Sequence, residues 1–335
     1  MKATPQSRQL PLLVSVVLPT CRRVALLERC LKALLRQSLN HGCYEIIVVD
    51  DGQQDEVLAL VARLAALPRV PALRYLRPEQ GRGPAVARNC GWRSARAPLV
   101  AFTDDDTVAD PQWLQHGLMG MRAHWLALAG RVRVPLLHPT ERRPTDHELM
   151  THGLERAEFV TANAFVWRSA LMLVGGFDER FQRPWREDSD LQFRLEALGP
   201  VGRCDAALVW HPVRPERWGV SLRQQRNVFF DALLYRKHPR QYRVRVRRRP
   251  PWDYYGIVLL TLLGLLMSLA GQEGLAALVL AGAVALVLGL AWRRLRHTAR
   301  DPAHVCEVLL TSALIPFLSV YWRLRGALHF RVLFL

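Results

Sequence analysis

Short runs of β-branched and aliphatic residues alternate with helically spaced stretches from Leu13 to Asp106. Val14 to Pro19 reads as a strand, after which Val24, Leu27, Leu31 and Leu34 recur every three or four residues, the spacing that lines one face of a helix. Tyr44 to Asp50 is a second strand, and Val57, Leu60, Val61 and Leu64 mark a second helix. A strand over Leu73 to Leu76, a helix over Pro84 to Ser94 and a strand over Leu99 to Thr103 complete the alternation, which predicts a parallel sheet wrapped by helices. Leu10 to Leu18 is short, is interrupted by Pro11, ends against Pro19 and is followed by no small-residue cleavage site. It reads as a buried strand and not as a signal peptide.

Beyond Arg131 the pattern loosens, and the polar stretch from His138 to Glu158 reads as a loop or flexible segment. Within it His147-Glu148-Leu149-Met150-Thr151-His152 resembles a zinc-protease motif with one residue too many. Histidines five apart lie roughly 140° apart around a helix, so they do not share a face and the protease reading fails. Leu191, Leu195 and Leu198 predict a helix that starts near Glu187, and Ala207 to Trp210 a strand.

The pattern then changes kind. Tyr254 to Gly271 and Leu275 to Trp292 are two uncharged stretches of 18 residues, each reaching about 27 Å as a helix, enough to cross a bilayer core. Neither has a polar face, which sets aside a pair of buried core helices. Gln272-Glu273-Gly274 between them carries no Lys or Arg, whereas Arg293, Arg294 and Arg296 follow the second stretch and eight basic residues without an acid occupy 236–249 before the first. The positive-inside rule then places the hairpin tip outside and the preceding domain in the cytoplasm, at the inner membrane. A third apolar stretch, Val308 to Trp322, is shorter, contains Pro316 and has basic residues on both sides. It spans or lies in the interface; an interfacial or re-entrant helix is preferred because spanning would place Arg323, Arg325 and Arg331 outside.

Charge changes the picture less than its size suggests. The formal net charge is +17, but residues 236–335 hold 15 Lys or Arg against four acids, leaving +6 for the first 235 residues. Basicity that abuts apolar segments points to anionic lipid and away from nucleic acid. The six cysteines show no C-x-x-C pair, so neither a zinc site nor a disulfide framework is indicated and a reducing compartment fits.

Acidic residues gather where a parallel sheet binds ligands, at the carboxyl ends of strands: Asp50 and Asp51 after one, Asp104, Asp105 and Asp106 after another. Gly81-Arg82-Gly83 lacks the third glycine of a dinucleotide fingerprint, and no P-loop occurs. Three consecutive carboxylates after a buried strand repel one another and call for a counter-charge, which favours a metal over a bare acidic turn. Asp110-Pro111 resembles an N-cap followed by proline at the first helical position.

The ordered set Val14 to Thr20, Val48-Val49-Asp50-Asp51-Gly52, Gly83 to Gly91, Phe102 to Asp106, Gly175-Gly176-Phe177-Asp178-Glu179 and Arg186-Glu187-Asp188 resembles the family 2 glycosyltransferases of the GT-A fold, in the membrane-anchored bacterial form. The resemblance covers roughly residues 13 to 240. It implies an α/β, Rossmann-like nucleotide-diphospho-sugar transferase domain and an inverting transfer. Pro19, Thr20, Asp50, Asp51, Arg88, Asp104 and Asp105 would bind the donor nucleotide, and Asp104 and Asp106 would hold Mn²⁺ or Mg²⁺ against its diphosphate. Asp188 would act as base on the acceptor hydroxyl, with helix capping as the competing role for Glu187 and Asp188. Asn163, Trp185 and Glu187 are candidates for the acceptor site, though a core asparagine and a surface tryptophan are equally consistent readings. His211 is a candidate metal or phosphate contact beside an ordinary structural role.

The expected organisation is a tail over 1–12, the GT-A domain over 13–240, a basic juxtamembrane linker over 241–253, a transmembrane hairpin over 254–292 and an interfacial or third membrane segment over 293–335. The expected partners are a nucleotide-diphosphate sugar, a lipid or glycan acceptor and the membrane. A catalytically silent membrane scaffold is the rival class, and the complete acidic clusters argue against it. No Q-x-x-R-W motif of processive synthases is present, which favours single addition.

Overall fold

The computed structural model describes residues 10–137 and 143–335, so the tail before Leu10 and the start of the polar stretch, 138–142, lie outside the described residues. The chain forms β1 (Val14–Thr20), α1 (Val24–Leu34), β2 (Tyr44–Asp50), α2 (Asp55–Ala65), β3 (Ala72–Leu76), α3 (Pro84–Ser94), β4 (Leu99–Phe102) and β5 (Val108–Ala109). Then follow α4 (Trp113–Gly120), β6 (Ala127–Arg133), α5 (Asp146–His152), β7 (Ala164–Trp167), α6 (Arg168–Val174), α7 (Glu187–Glu196) and β8 (Val201–Trp210). The last helices are α8 (Val220–Gln224), α9 (Val228–Lys237), α10 (Pro239–Gln241), α11 (Trp252–Leu269), α12 (Glu273–Leu295) and α13 (Pro302–His329). Two compact units result: residues up to Val134 together with Leu154–Pro212, and Pro135–Gly153 together with Val213–Leu335.

The first unit is built on one eight-stranded sheet in the order β3-β2-β1-β4-β7-β6-β8-β5. The first four strands of that order are parallel, as the alternating pattern predicts, while β7 runs antiparallel to both its neighbours and β5 antiparallel to β8. The sheet is therefore mixed. Both faces are covered: Val14, Val16 and Leu18 enter one core with α1, α2 and α4, whereas Val17, Ile47 and Val49 enter the other with α3, α6 and α7. That two-sided burial explains why the strands read as unbroken apolar runs. Pro19 is tolerated in this central strand because β1 pairs with β4 only as far as Val17.

A buried acid anchors the end of the sheet remote from Asp50. Glu45, at the start of β2, is fully buried and accepts from Ser15 Oγ (2.7 Å), the Arg96 amide (2.8 Å), Arg96 Nε (2.9 Å) and Arg74 Nη1 (3.1 Å). Burial pushes its carboxyl up, but these donors outweigh burial and hold it below the usual carboxylate range. A depressed folded value means stability that is present above the unfolded pKa and lost as pH falls through the folded one. Glu45→Gln is expected to destabilise the unit by about 1–3 kcal/mol at pH 7, with the difference shrinking below about pH 4. Thermal unfolding across pH checks it, and a pH-independent difference would contradict the charge argument.

Several boundaries differ from the sequence reading. β8 begins at Val201, six residues earlier than the apolar run suggests, because its first half is partly exposed and lacks a clean period. Asp110 does not cap α4, whose N-cap is Gln112; its Oδ1 instead accepts from the Gln112 amide at 2.9 Å, an Asx turn. The polar stretch after residue 142 is not a loop throughout, since Thr145 and Glu148 form a reciprocal capping box that starts α5.

In the second unit α11, α12 and α13 are each long and apolar enough to cross a membrane. They differ in burial: the most apolar windows of α11 and α12 are 11% and 22% buried, that of α13 is 44% buried. Arg294, in the last turn of α12, pairs with Asp146 at 2.8 Å and donates to Thr311 and Ser312 of α13.

Candidate active site

β1 lies between β2 and β4, which sets Thr20 beside Asp50 in register and within reach of the loop after β4. Asp50 is fully buried. Its oxygens accept from the Gly52 amide (2.9 Å), the Gln54 amide (2.6 Å) and the Tyr75 hydroxyl (2.9 Å), so it shapes the turn into α2. Asp51 is half-buried and receives the Gly83 amide at 3.1–3.2 Å. Gly83 stands at the N-cap of α3 with φ +109°, a region disfavoured for residues with a side chain, and an added Cβ would meet the Gln182 carbonyl oxygen at 2.8 Å. The first acidic pair thereby ties two loops together at the strand ends.

The three aspartates after β4 divide. Asp105, in the middle, turns back to Thr20 Oγ1 (2.8 Å) and Arg23 Nη1 (3.0 Å); burial raises its carboxyl, against the pull of Arg23. Asp104 and Asp106 converge with His211, one ligand atom from each lying within 4.8 Å of the others. His211 Nε2 is 3.4 Å from Asp106 Oδ1. The backbone turn is pinned by Thr107 Oγ1 and Cys30 Sγ, both on the Asp104 carbonyl. Two carboxylates and an imidazole suit Mn²⁺, and suit Mg²⁺ less because of the nitrogen. The buried His211 ring keeps one nitrogen without a protein hydrogen bond.

Sheet pairing makes this cluster. Val108 of β5 pairs with Trp210 of β8, and the His211 amide donates to the Arg133 carbonyl at the end of β6. A histidine 105 residues from Asp106 in the chain is thus fixed beside it.

Arg88 joins the Asp104-Asp106-His211 cluster to the last acidic pair. Buried on α3, it donates to Asp104 Oδ1 at 2.8 Å and to Glu187 Oε1 at 3.0 Å. It can approach because α3 presses on the sheet at Gly91, where an added Cβ would come within 2.4 Å of Val17 Cγ1. Asp188 accepts from the Thr161 amide (3.2 Å) and Thr161 Oγ1 (2.8 Å) and remains partly exposed, while Glu187 is buried. Burial raises both carboxyls; for Asp188 the negative charge of Asp104 adds to it and Arg88 opposes it. Neither acid caps α7: the N-cap is Arg186, which takes a left-handed conformation (φ 75°, ψ −9°) rarely adopted by a residue with a side chain. That kink aims the Glu187-Asp188 pair.

Other candidates sit elsewhere. Asn163 is fully buried, accepts from Trp113 Nε1 and donates to the carbonyls of Arg131 and Ala207, each at 2.8 Å, so it is a core residue and not a lining of an acceptor pocket. Trp185 is half-exposed, with the Arg186 guanidinium 4.6 Å from its ring centroid. Arg88 is directed at Asp104 and Glu187, which makes it an organiser of the acidic groups. Thr161, Arg23 and Tyr75 escaped the sequence reading because no local motif marks a partner whose only role is to hold an acid across the fold.

A mixed sheet with acidic clusters at the carboxyl ends of its parallel strands defines the GT-A class. A solved mannosyltransferase from Pyrobaculum calidifontis, described in complex with GDP-Man and Mn²⁺, shares the fold with a TM-score of 0.56 at 18% identity, over 95% of this chain and 87% of that one. Residues 15–181 match the model of Glycosyl transferase family 2, and the chain belongs to that family. It is 31% identical over 273 residues to the validoxylamine A glucosyltransferase of Streptomyces hygroscopicus subsp. jinggangensis, covering 68% of this chain and 61% of that enzyme's length. It is 28% identical to glycosyltransferase AglE of Haloferax volcanii, covering 63% of this chain and 70% of that one.

Proposed function

We propose that the chain transfers a sugar, with inversion, from a nucleotide-diphosphate sugar to a lipid, lipid-linked or glycan acceptor at the cytoplasmic face of a membrane. The convergence of Asp104, Asp106 and His211, linked through Arg88 to the Glu187-Asp188 pair, carries this reading. Asp104, Asp106 and His211 would hold Mn²⁺ or Mg²⁺, which when bound supplies positive charge against the departing diphosphate. Asp51 and the loops it ties face the donor nucleotide. Asp188, largely buried but with an exposed edge and held by Thr161, accepts the proton of the acceptor hydroxyl as that oxygen bonds to the anomeric carbon and the carbon–diphosphate bond breaks. Glu187 is less suited to this step because it is buried and paired with Arg88. The carboxyl of Asp188, raised by burial, is a stronger base than an ordinary surface aspartate.

The hairpin of α11 and α12, with basic residues at its base and none at its tip, supports the membrane placement. Purified full-length protein, given a panel of nucleotide sugars, Mn²⁺ and a membrane lipid extract, is expected to release nucleotide diphosphate and to label the lipid or glycan fraction, with EDTA stopping both. Neither release nor labelling with any donor would overturn the proposal and favour a silent scaffold.

A further inference from the structure

α13 has the length and apolarity of a membrane span, yet both of its ends touch chain that precedes the first span. Near its start, Glu307 Oε1 accepts from the Gly219 amide at 2.7 Å. Near its end, Gly326 lies so close to α9 that an added Cβ would meet the Phe229 carbonyl oxygen at 2.5 Å, and the Phe330 carbonyl accepts from Arg236 Nη1 at 2.8 Å. Phe229 also packs its ring against Trp322, His329 and Phe330. Beyond the helix, Phe334 packs tilted against Tyr235 and edge to face against Tyr242, with the Arg323 guanidinium 4.7 Å from its centroid.

The segment from Gly219 to Lys237 holds Arg223, Gln224, Gln225, Arg226, Asn227 and Asp231 and is not itself apolar enough for a bilayer core. It belongs on the side of the membrane from which α11 enters. A helix with contacts to this one segment from Glu307 through Phe330 stays on that side.

The outward face of α13 indicates what covers it. Leu310, Leu314, Phe317, Tyr321, Leu324 and Leu328 recur at four- and three-residue steps and are 36–81% exposed, while Thr311, Ser312, Ser319 and Arg323 are turned inward. We infer that α13 does not span but lies in the plane of the membrane interface, its Leu310-to-Leu328 row in the acyl chains and the carboxyl terminus on the same face as the sugar-transferring unit. The lipid surface is the fitting occupant because the row belongs to the same compact unit as the apolar hairpin, and because Arg300 and Arg331 flank it, with Arg325 beside Leu324, where anionic headgroups sit. The inference rests on α11 and α12 being spans.

Three epitope tags in otherwise full-length protein test the topology: one before Met1, one between Gly271 and Gln272, and one after Leu335. In sealed vesicles, protease is expected to remove the first and last tags from one face and the middle tag from the other. A last tag that partitions with the middle one would overturn the inference while leaving the hairpin intact. A middle tag that partitions with the first would overturn the hairpin itself. Contact with lipid is read from spin labels on Leu310→Cys and Leu328→Cys, each with Cys21 and Cys306 replaced by serine. Both labels are expected at one shallow, oxygen-accessible depth; depths differing by about 27 Å mean a span, and two water-exposed labels mean no docking.

Discussion

Asp188→Asn is expected to lower sugar transfer by about 100- to 10,000-fold, the range for loss of a positioned proton acceptor. The side chain keeps its shape, and an amide still accepts from the Thr161 backbone while donating to Thr161 Oγ1, so the contacts that seat residue 188 survive. The substitution also removes one negative charge from a group of three acids around Arg88, which relieves its repulsion with Asp104 as it weakens the pull on Arg88. These changes oppose each other, so thermal stability and donor affinity should stay close to the parent. The N-cap role for this acid is already set aside, since Arg186 is the N-cap of α7. A variant that transfers sugar at near the parent rate would refute the base assignment, and Glu187→Gln would then take its place as the decisive variant.

The second large effect belongs to the cation cluster. Asp106→Asn is expected to weaken Mn²⁺ binding by more than the about 10- to 100-fold typical of losing a partner behind the ligands, because it removes a first ligand. Asp106 is the cleaner target, since Asp104 also neutralises Arg88 and its loss would disturb the Glu187 pair as well. His211→Ala should weaken Mn²⁺ and leave metal-free nucleotide affinity unchanged, which separates a ligand from a residue that merely pairs with Asp106. Direct Mn²⁺ titration monitored by paramagnetic resonance gives the readout without relying on turnover. Unchanged Mn²⁺ affinity in both variants would remove the assignment.

The sequence by itself determined what local periodicity and composition control. β-branched runs buried on both faces announced β1, β2 and β4, and three- and four-residue spacing announced α1 and α2. Clusters of carboxylates at the ends of apolar runs marked the carboxyl ends of β2 and β4. Strands β5, β6 and β7 were not legible, because β5 has only two residues, β7 four with a single β-branched one, and β6 (Ala127–Arg133) one valine beside a glycine and two arginines. Tertiary structure decided the partners. The pairing of β5 with β8 puts His211 on Asp106, and the close seat of α3 at Gly91 lets one arginine serve Asp104 and Glu187 together. Burial in the core turns Asn163 away from the site, and the contacts of α13 with the polar segment before α11, from which its interfacial placement is inferred, are likewise absent from length and apolarity. The physical reason is common to all four: each depends on contacts between residues remote in the chain, whose geometry exists only once the sheet has formed.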